Sequence, residues 1–125
     1  MSGITASRDA AGPGPRITGF AGSRFRIGEE VRDGGLILTP DSAHDWVPPP
    51  IERLDLAALV QAVAAGPEFI LIGTGVTLIR PPHPLVTALD AAGIGIEAMD
   101  SRAAARAWSL LRNEGRWIAA ALYPL

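Results

Sequence analysis

The chain has 125 residues, a length that suits one domain rather than a multidomain enzyme, and 48% of them are apolar, enough for a sizeable core. With 19% charged residues and a net charge of −2 it is not a disordered polyelectrolyte, and its eleven basic residues, all arginine, are spread among thirteen acids without the basic block that nucleic-acid binding needs. The absence of cysteine excludes disulfides, a thiolate nucleophile and cysteine-ligated metals, and the absence of lysine excludes a Schiff base or a P-loop.

Residues 1–15 carry Ser, Ala, Gly and two prolines and almost no large apolar side chain, which predicts a disordered tail without the apolar run of a signal peptide. Residues 16–125 then form a single domain. The runs at Ile17 to Phe20, Phe25 to Ile27 and Leu36 to Leu38 alternate with period two around Gly22-Ser23, Gly28-Glu29 and Asp33-Gly34-Gly35, predicting an antiparallel meander. A fourth strand centres on Trp46-Val47 and is ended by Pro48-Pro49-Pro50, since proline donates no ladder hydrogen bond.

Beyond Pro50 the period changes. Leu56, Leu59, Val60 and Val63 make one face of a helix over 54–63 with Asp55 as its N-cap, and Gly66-Pro67 stops it. Phe69 to Ile72 is apolar on both faces, as a central strand with covered faces must be. Val76 to Ile79 reads as a short returning strand. A helix from Pro84 to Gly93 turns Leu85, Val86, Leu89 and Ala92 inward, Ile94 to Met99 is a strand, and Asp100 or Ser101 caps a helix with Ala104, Ala107, Trp108 and Leu111 on one stripe. Trp117 to Leu122 is the last strand, with Trp108 and Trp117 both expected in the core. Short strand–helix–strand connections imply parallel neighbours, so the fold class is α/β: three layers, a mixed and partly parallel sheet, an antiparallel N-terminal meander and about three helices.

Chemistry is sparse. Ligands of open parallel sheets bind outside the carboxyl ends of the strands, which here are Gly73-Thr74-Gly75 and Met99-Asp100-Ser101, the second opening a helix whose N–H groups favour an anion. Arg80, Arg106 and Arg116 could supply counter-charge to a ligand there, although turn glycines and a serine cap also explain the two loops, and Arg116 could equally pair with Glu114 or the end of the helix dipole. Gly-Thr-Gly fails as a dinucleotide fingerprint because its third glycine position is Leu78 and the next helix begins too late. Asp41, His44 and Asp45 match no metal-ligand spacing, no Gly-x-Ser-x-Gly elbow exists, and Glu29-Glu30 reads as a solvated turn. Neither a catalytic residue nor a metal or cofactor is expected, and Trp46, beside the proline run, is a candidate partner surface.

The segments Phe69 to Gly75, Gly93 to Met99, Ala103 to Arg106 and Glu114 to Leu122, taken in this order with the Gly28-Glu29 turn and Trp46, resemble the Mth938-like family of domains of unknown function over residues 16–125. Its eukaryotic members include mitochondrial complex I assembly factor 3 and the adipogenesis-associated domain protein. The resemblance implies a compact three-layer α/β fold, no established enzymatic activity, and for one branch a role in assembling the membrane-bound NADH:ubiquinone oxidoreductase. Where the family usually has Thr-Tyr-Asn in the last helix, this chain reads Ala107-Trp108-Ser109, which removes polar groups from the neighbourhood of the cleft. The resulting expectation is a non-catalytic, cytoplasmic assembly or interaction domain whose partners are complex I subunits or another assembly factor, acting at a membrane surface without entering it. The alternatives are a small-molecule or anion-binding protein, an enzyme among them, using the cleft between Gly73-Thr74-Gly75 and Ser101, and a structural subunit of a larger assembly.

Overall fold

The computed structural model describes residues 14–125. The tail expected over 1–15 lies, as far as residue 13, outside the described residues; Pro15 is half-buried, and its carbonyl accepts the indole N–H of Trp108 at 2.9 Å.

Strands β1 (Ile17–Ala21), β2 (Arg24–Ile27) and β3 (Glu30–Arg32) form the antiparallel meander. The next strand, β4 (Gly35–Leu38), leaves it. At Gly35 an added Cβ would lie 2.8 Å from the Trp46 carbonyl oxygen and 2.9 Å from that of Leu122, so only glycine lets the chain enter a second sheet at this point. That sheet also contains β5 (Ala43–Trp46), β6 (Phe69–Gly73), β7 (Gly95–Met99) and β8 (Ala119–Leu122), in the order β5-β4-β8-β6-β7. The pairs β5/β4 and β4/β8 are antiparallel, and β8/β6 and β6/β7 are parallel.

Three helices cover the five-stranded sheet: α1 (Val60–Ala64), α2 (His83–Ala91) and α3 (Ser101–Asn113). Strand alternation divides the core in two. Ile37, Ile70, Ile72, Ala119 and Ala121 face Leu59, Leu85 and Leu89 from the α1/α2 layer. Leu36, Leu38, Leu71, Ala120 and Leu122 face Ala104, Ala105 and Trp108 of α3 together with Ile17 and Phe25 of the meander. The expected three-layer α/β architecture with a mixed sheet and three helices is therefore present, and β6 is a central strand with both faces covered.

Five local expectations are corrected. The Leu36 to Leu38 run, expected in the meander, is β4 of the five-stranded sheet, and Glu30–Arg32 is the meander's third strand. The helix expected over 54–63 is a 3-10 turn at Ala57–Leu59 followed by α1. Asp55 does cap, its Oδ1 accepting from the Ala58 N–H at 3.0 Å, but the tighter turn rotates the face: Leu59 and Ala62 are buried, and Leu56 and Val60 are exposed. Ala92, expected inward, sits beyond the end of α2 and is exposed. Val76 to Ile79 is a turn, because Thr74 Oγ1 donates to the Thr77 carbonyl at 2.7 Å and accepts from the Ile79 N–H at 3.0 Å, bending the segment back on itself. Trp117 precedes β8 and is largely exposed, with its indole N–H on the Ala65 carbonyl at 2.8 Å.

Trp108 is the largest fully buried side chain and spans from α3 to Pro15. Trp108→Ala is expected to destabilise the fold by about 3–5 kcal/mol through cavity formation and loss of the indole bond, read as a lower urea midpoint with an unchanged m-value.

Candidate functional site

Helices α2 and α3 lie on opposite faces of the sheet, as right-handed crossovers require when the chain steps outward from β6 to β7 and then back across β6 to β8. The loops leaving β6 and β7 therefore part toward opposite faces, and the crevice between them is the topological switch point where open α/β sheets usually take ligands. Gly73, Thr74, Gly75, Met99, Asp100 and Ser101 meet there.

The crevice is filled by the chain's own hydrogen bonds. The Thr74 N–H donates to the Met99 carbonyl and the Ser101 N–H to the Gly75 carbonyl, both at 2.8 Å. Ser101 Oγ accepts from the Gly75 N–H at 2.8 Å and donates to the Tyr123 carbonyl at 2.7 Å, while the Tyr123 N–H donates to the Gly73 carbonyl at 2.8 Å. Asp100 Oδ1 caps α3 on the Ala103 N–H at 2.9 Å. Ser101 is fully buried and Thr74 nearly so. A Cβ on Gly73 would stand 2.9 Å from both Cα and Oγ of Ser101, so Gly73 is there to let this hydroxyl approach the sheet. The same atoms that could have bound an anion are spent on joining three segments.

The arginines do not converge on the crevice. Arg80 is exposed on the loop before α2. Arg106 lies on the outer face of α3 with its guanidinium 5.6 Å from the Phe20 ring. Arg116 pairs at 3.0 Å with Glu68, not with Glu114 or the dipole end, and stacks 5.5 Å from the Phe69 ring. That hydrogen bond holds the Glu68 carboxyl below its usual range and raises Arg116, whose charge Glu114 also favours. Trp46 is half-buried, donating to the Ala58 carbonyl at 3.1 Å and meeting the Tyr123 ring edge-on at 5.2 Å.

Tyr123 is the residue that sequence reasoning missed. It follows β8, its hydroxyl donates to the Pro49 carbonyl at 2.7 Å, and burial, helped by the charge of Glu52, pushes its phenol up to about 12. Its signal in the sequence was only its being the sole tyrosine. Ser42 Oγ and His44 Nε2 lie 2.8 Å apart, but Ser42 Oγ is also 2.7 Å from Thr39 Oγ1, in a network that ties off the β4–β5 turn. Among the described residues no group of acids and histidines could hold a metal ion.

Apolar side chains are exposed on the loop that leaves this crevice. The 74–82 loop carries Val76, Leu78 and Ile79 at 79%, 61% and 43% exposure, held outward by the Thr74 bonds. A groove of about 360 Å³ runs between the Leu54 to Ala57 turn and Pro84, Leu85 and Ala88 of α2, away from the Ser101 crevice.

A family model for a protein of unknown function (DUF498/DUF598) matches residues 17–123. An uncharacterized protein of Rhodobacter capsulatus is 36% identical over 120 residues, which span 89% of this chain and 93% of that protein. Among solved structures, a Bordetella parapertussis protein superposes with a TM-score of 0.81 at 30% identity, covering 90% of this chain and 97% of its own. A Bordetella pertussis protein described as a Mth938-like domain gives 0.75 at 26% identity, covering 92% and 87%.

Ser101→Ala should leave the Gly75 N–H and Tyr123 carbonyl without partners and cost about 1–3 kcal/mol, measurable by urea unfolding. Tyr123 titrates higher folded than unfolded, so its contribution to stability is complete below about pH 10 and is lost as the pH rises toward 12. Because it is the sole tyrosine, phenolate absorbance at 295 nm should show one midpoint near 12 in the folded protein.

Proposed function

Since the chain belongs to the DUF498/DUF598 family of proteins of unknown function and has the Mth938-like fold, we propose that it is a non-catalytic protein-interaction domain that assists assembly of the membrane-bound NADH:ubiquinone oxidoreductase. The observation that carries this reading is the division of labour at the carboxyl ends of the parallel strands. Polar atoms of residues 73–75 and 99–101 are engaged by one another and by Tyr123, whereas Val76, Leu78 and Ile79 on the loop that follows face solvent. Catalysis needs unpaired polar groups aimed at a common point in space; protein association needs apolar side chains that lose water on contact.

The resemblance to a family that contains mitochondrial complex I assembly factor 3 supplies the assembly role. In this reading, which takes the location from the resemblance, the domain acts from the cytoplasm at the membrane surface. No helix among the described residues is long and apolar enough to cross a membrane. The closed Thr74 and Ser101 network weighs against the ligand-cleft alternative.

Deleting the gene should lower complex I activity and accumulate subassemblies, and normal assembly would sink the proposal. In the complemented strain, Val76→Ser with Leu78→Ser should fail to restore assembly while leaving the unfolding free energy of the purified protein within about 0.5 kcal/mol of the parent, as surface substitutions do.

A further inference from the structure

The charges of this acidic protein are segregated. Residues 14–28 and helix α3 together contain Arg16, Arg24, Arg26, Arg102, Arg106 and Arg112 and no acid, although the chain has thirteen acids against eleven arginines. The two segments pack together, and on their outer face one feature is built rather than scattered. Arg102 and Arg106, one helical turn apart, place their guanidiniums 4.6 and 5.6 Å from the centroid of the same ring, Phe20. Arg102 is further fixed by a bond from Nη2 to the Gly22 carbonyl at 3.1 Å.

Among the described residues neither arginine forms an ion pair; the ion pairs there are made by Arg24, Arg32 and Arg116. The nearest acid on the helix, Asp100, is engaged as its cap. Like charges at i and i+4 repel, and holding both against one ring confines long side chains that would otherwise separate. An anion bridging them would remove the repulsion, and the ring has already ordered the two forks that would receive it.

Resting on the interaction-domain reading, we infer that the outer stripe of α3 is a docking surface for an acidic helical segment of a partner protein. One turn beyond Arg106 on the same stripe stands Leu110, 61% exposed. The stripe thus reads Arg, Arg, Leu at i, i+4 and i+8, which matches carboxylates one turn apart followed by an apolar side chain. This geometry favours protein over nucleic acid, since the Phe20 ring is already flanked by guanidiniums and is not free to stack a base, and two cations neutralise few phosphates.

The test is a titration of the ¹⁵N-labelled protein with a capped alanine-based peptide carrying Glu at i and i+4 and Leu at i+8, beside a control with Gln for Glu. The inference expects amide shifts confined to residues 102–110 and the Phe20–Gly22 turn, with binding weakened roughly tenfold or more by Arg102→Glu with Arg106→Glu and also by raising salt to about 0.5 M. Phe20→Leu should weaken binding while leaving the charge intact. If the charge-reversed protein does not fold, Arg102→Gln with Arg106→Gln replaces it. Equal binding of the Gln peptide, shifts elsewhere, no binding, or preference for phosphatidylglycerol vesicles or polyuridylate over the peptide would each overturn the inference. A partner captured from cells equally well by wild type and by the double variant would leave the interaction reading standing and remove only this face; failure of gene deletion to affect assembly would leave the peptide result unaffected.

Discussion

The fold depends on how β8 is held. Ala120 to Leu122 pair antiparallel with β4 on one side, all four residues pair parallel with β6 on the other, and no other strand joins the N-terminal half of the five-stranded sheet to the C-terminal half. Three of the four are alanine and all are fully buried. Small side chains at the centre let the larger groups reach inward from both layers: Leu59 and Leu89 on one face, Trp108 and Phe25 on the other. A bulky residue at Ala119, Ala120 or Ala121 would have to displace one of these layers, and overpacking a core built to this density is itself destabilising.

The register that β8 imposes also explains the closure of the switch-point crevice. Immediately after the strand, Tyr123 is placed where its N–H meets Gly73 and its carbonyl meets Ser101. A position that many α/β proteins leave open for a ligand is here part of the scaffold, and Gly73 allows the close approach that makes it so. With its polar groups turned inward, this end of the molecule presents apolar side chains to solvent.

Much of the architecture was legible because it rests on local periodicity. The two-faced apolar run at Phe69 to Ile72, the stripe of α3 and the Asp100 cap each depend on residues within a turn or a strand of one another, and each is found in the structure. The departures depend on contacts distant in sequence. The Leu36 to Leu38 run looked like a continuation of the meander, and only the squeeze of Gly35 between β5 and β8 sends it into the second sheet. Arg116 pairs with Glu68 across 48 residues, and Ser101 reaches Tyr123 across 22, distances over which spacing carries no signal. The candidate loops are neighbours because β6 and β7 pair in parallel, yet their closure on each other involves Tyr123, whose place beside them nothing local announces. The Arg102–Phe20–Arg106 arrangement joins segments some 80 residues apart and was invisible for the same reason.

The central position of β8 bears on how the protein is made. Synthesis is vectorial, and β8 is the last element in the order to emerge from the ribosome. Until it does, the nascent chain carries two half-sheets, β5-β4 and β6-β7, each with an unpaired edge where β8 will sit. Those edges belong to the most apolar strands in the molecule, so the interval before β8 joins them is when off-pathway strand pairing competes with folding. The five-stranded sheet therefore cannot close until β8 is available, and a chain ending before Ala119 would leave both of those edges without their strand.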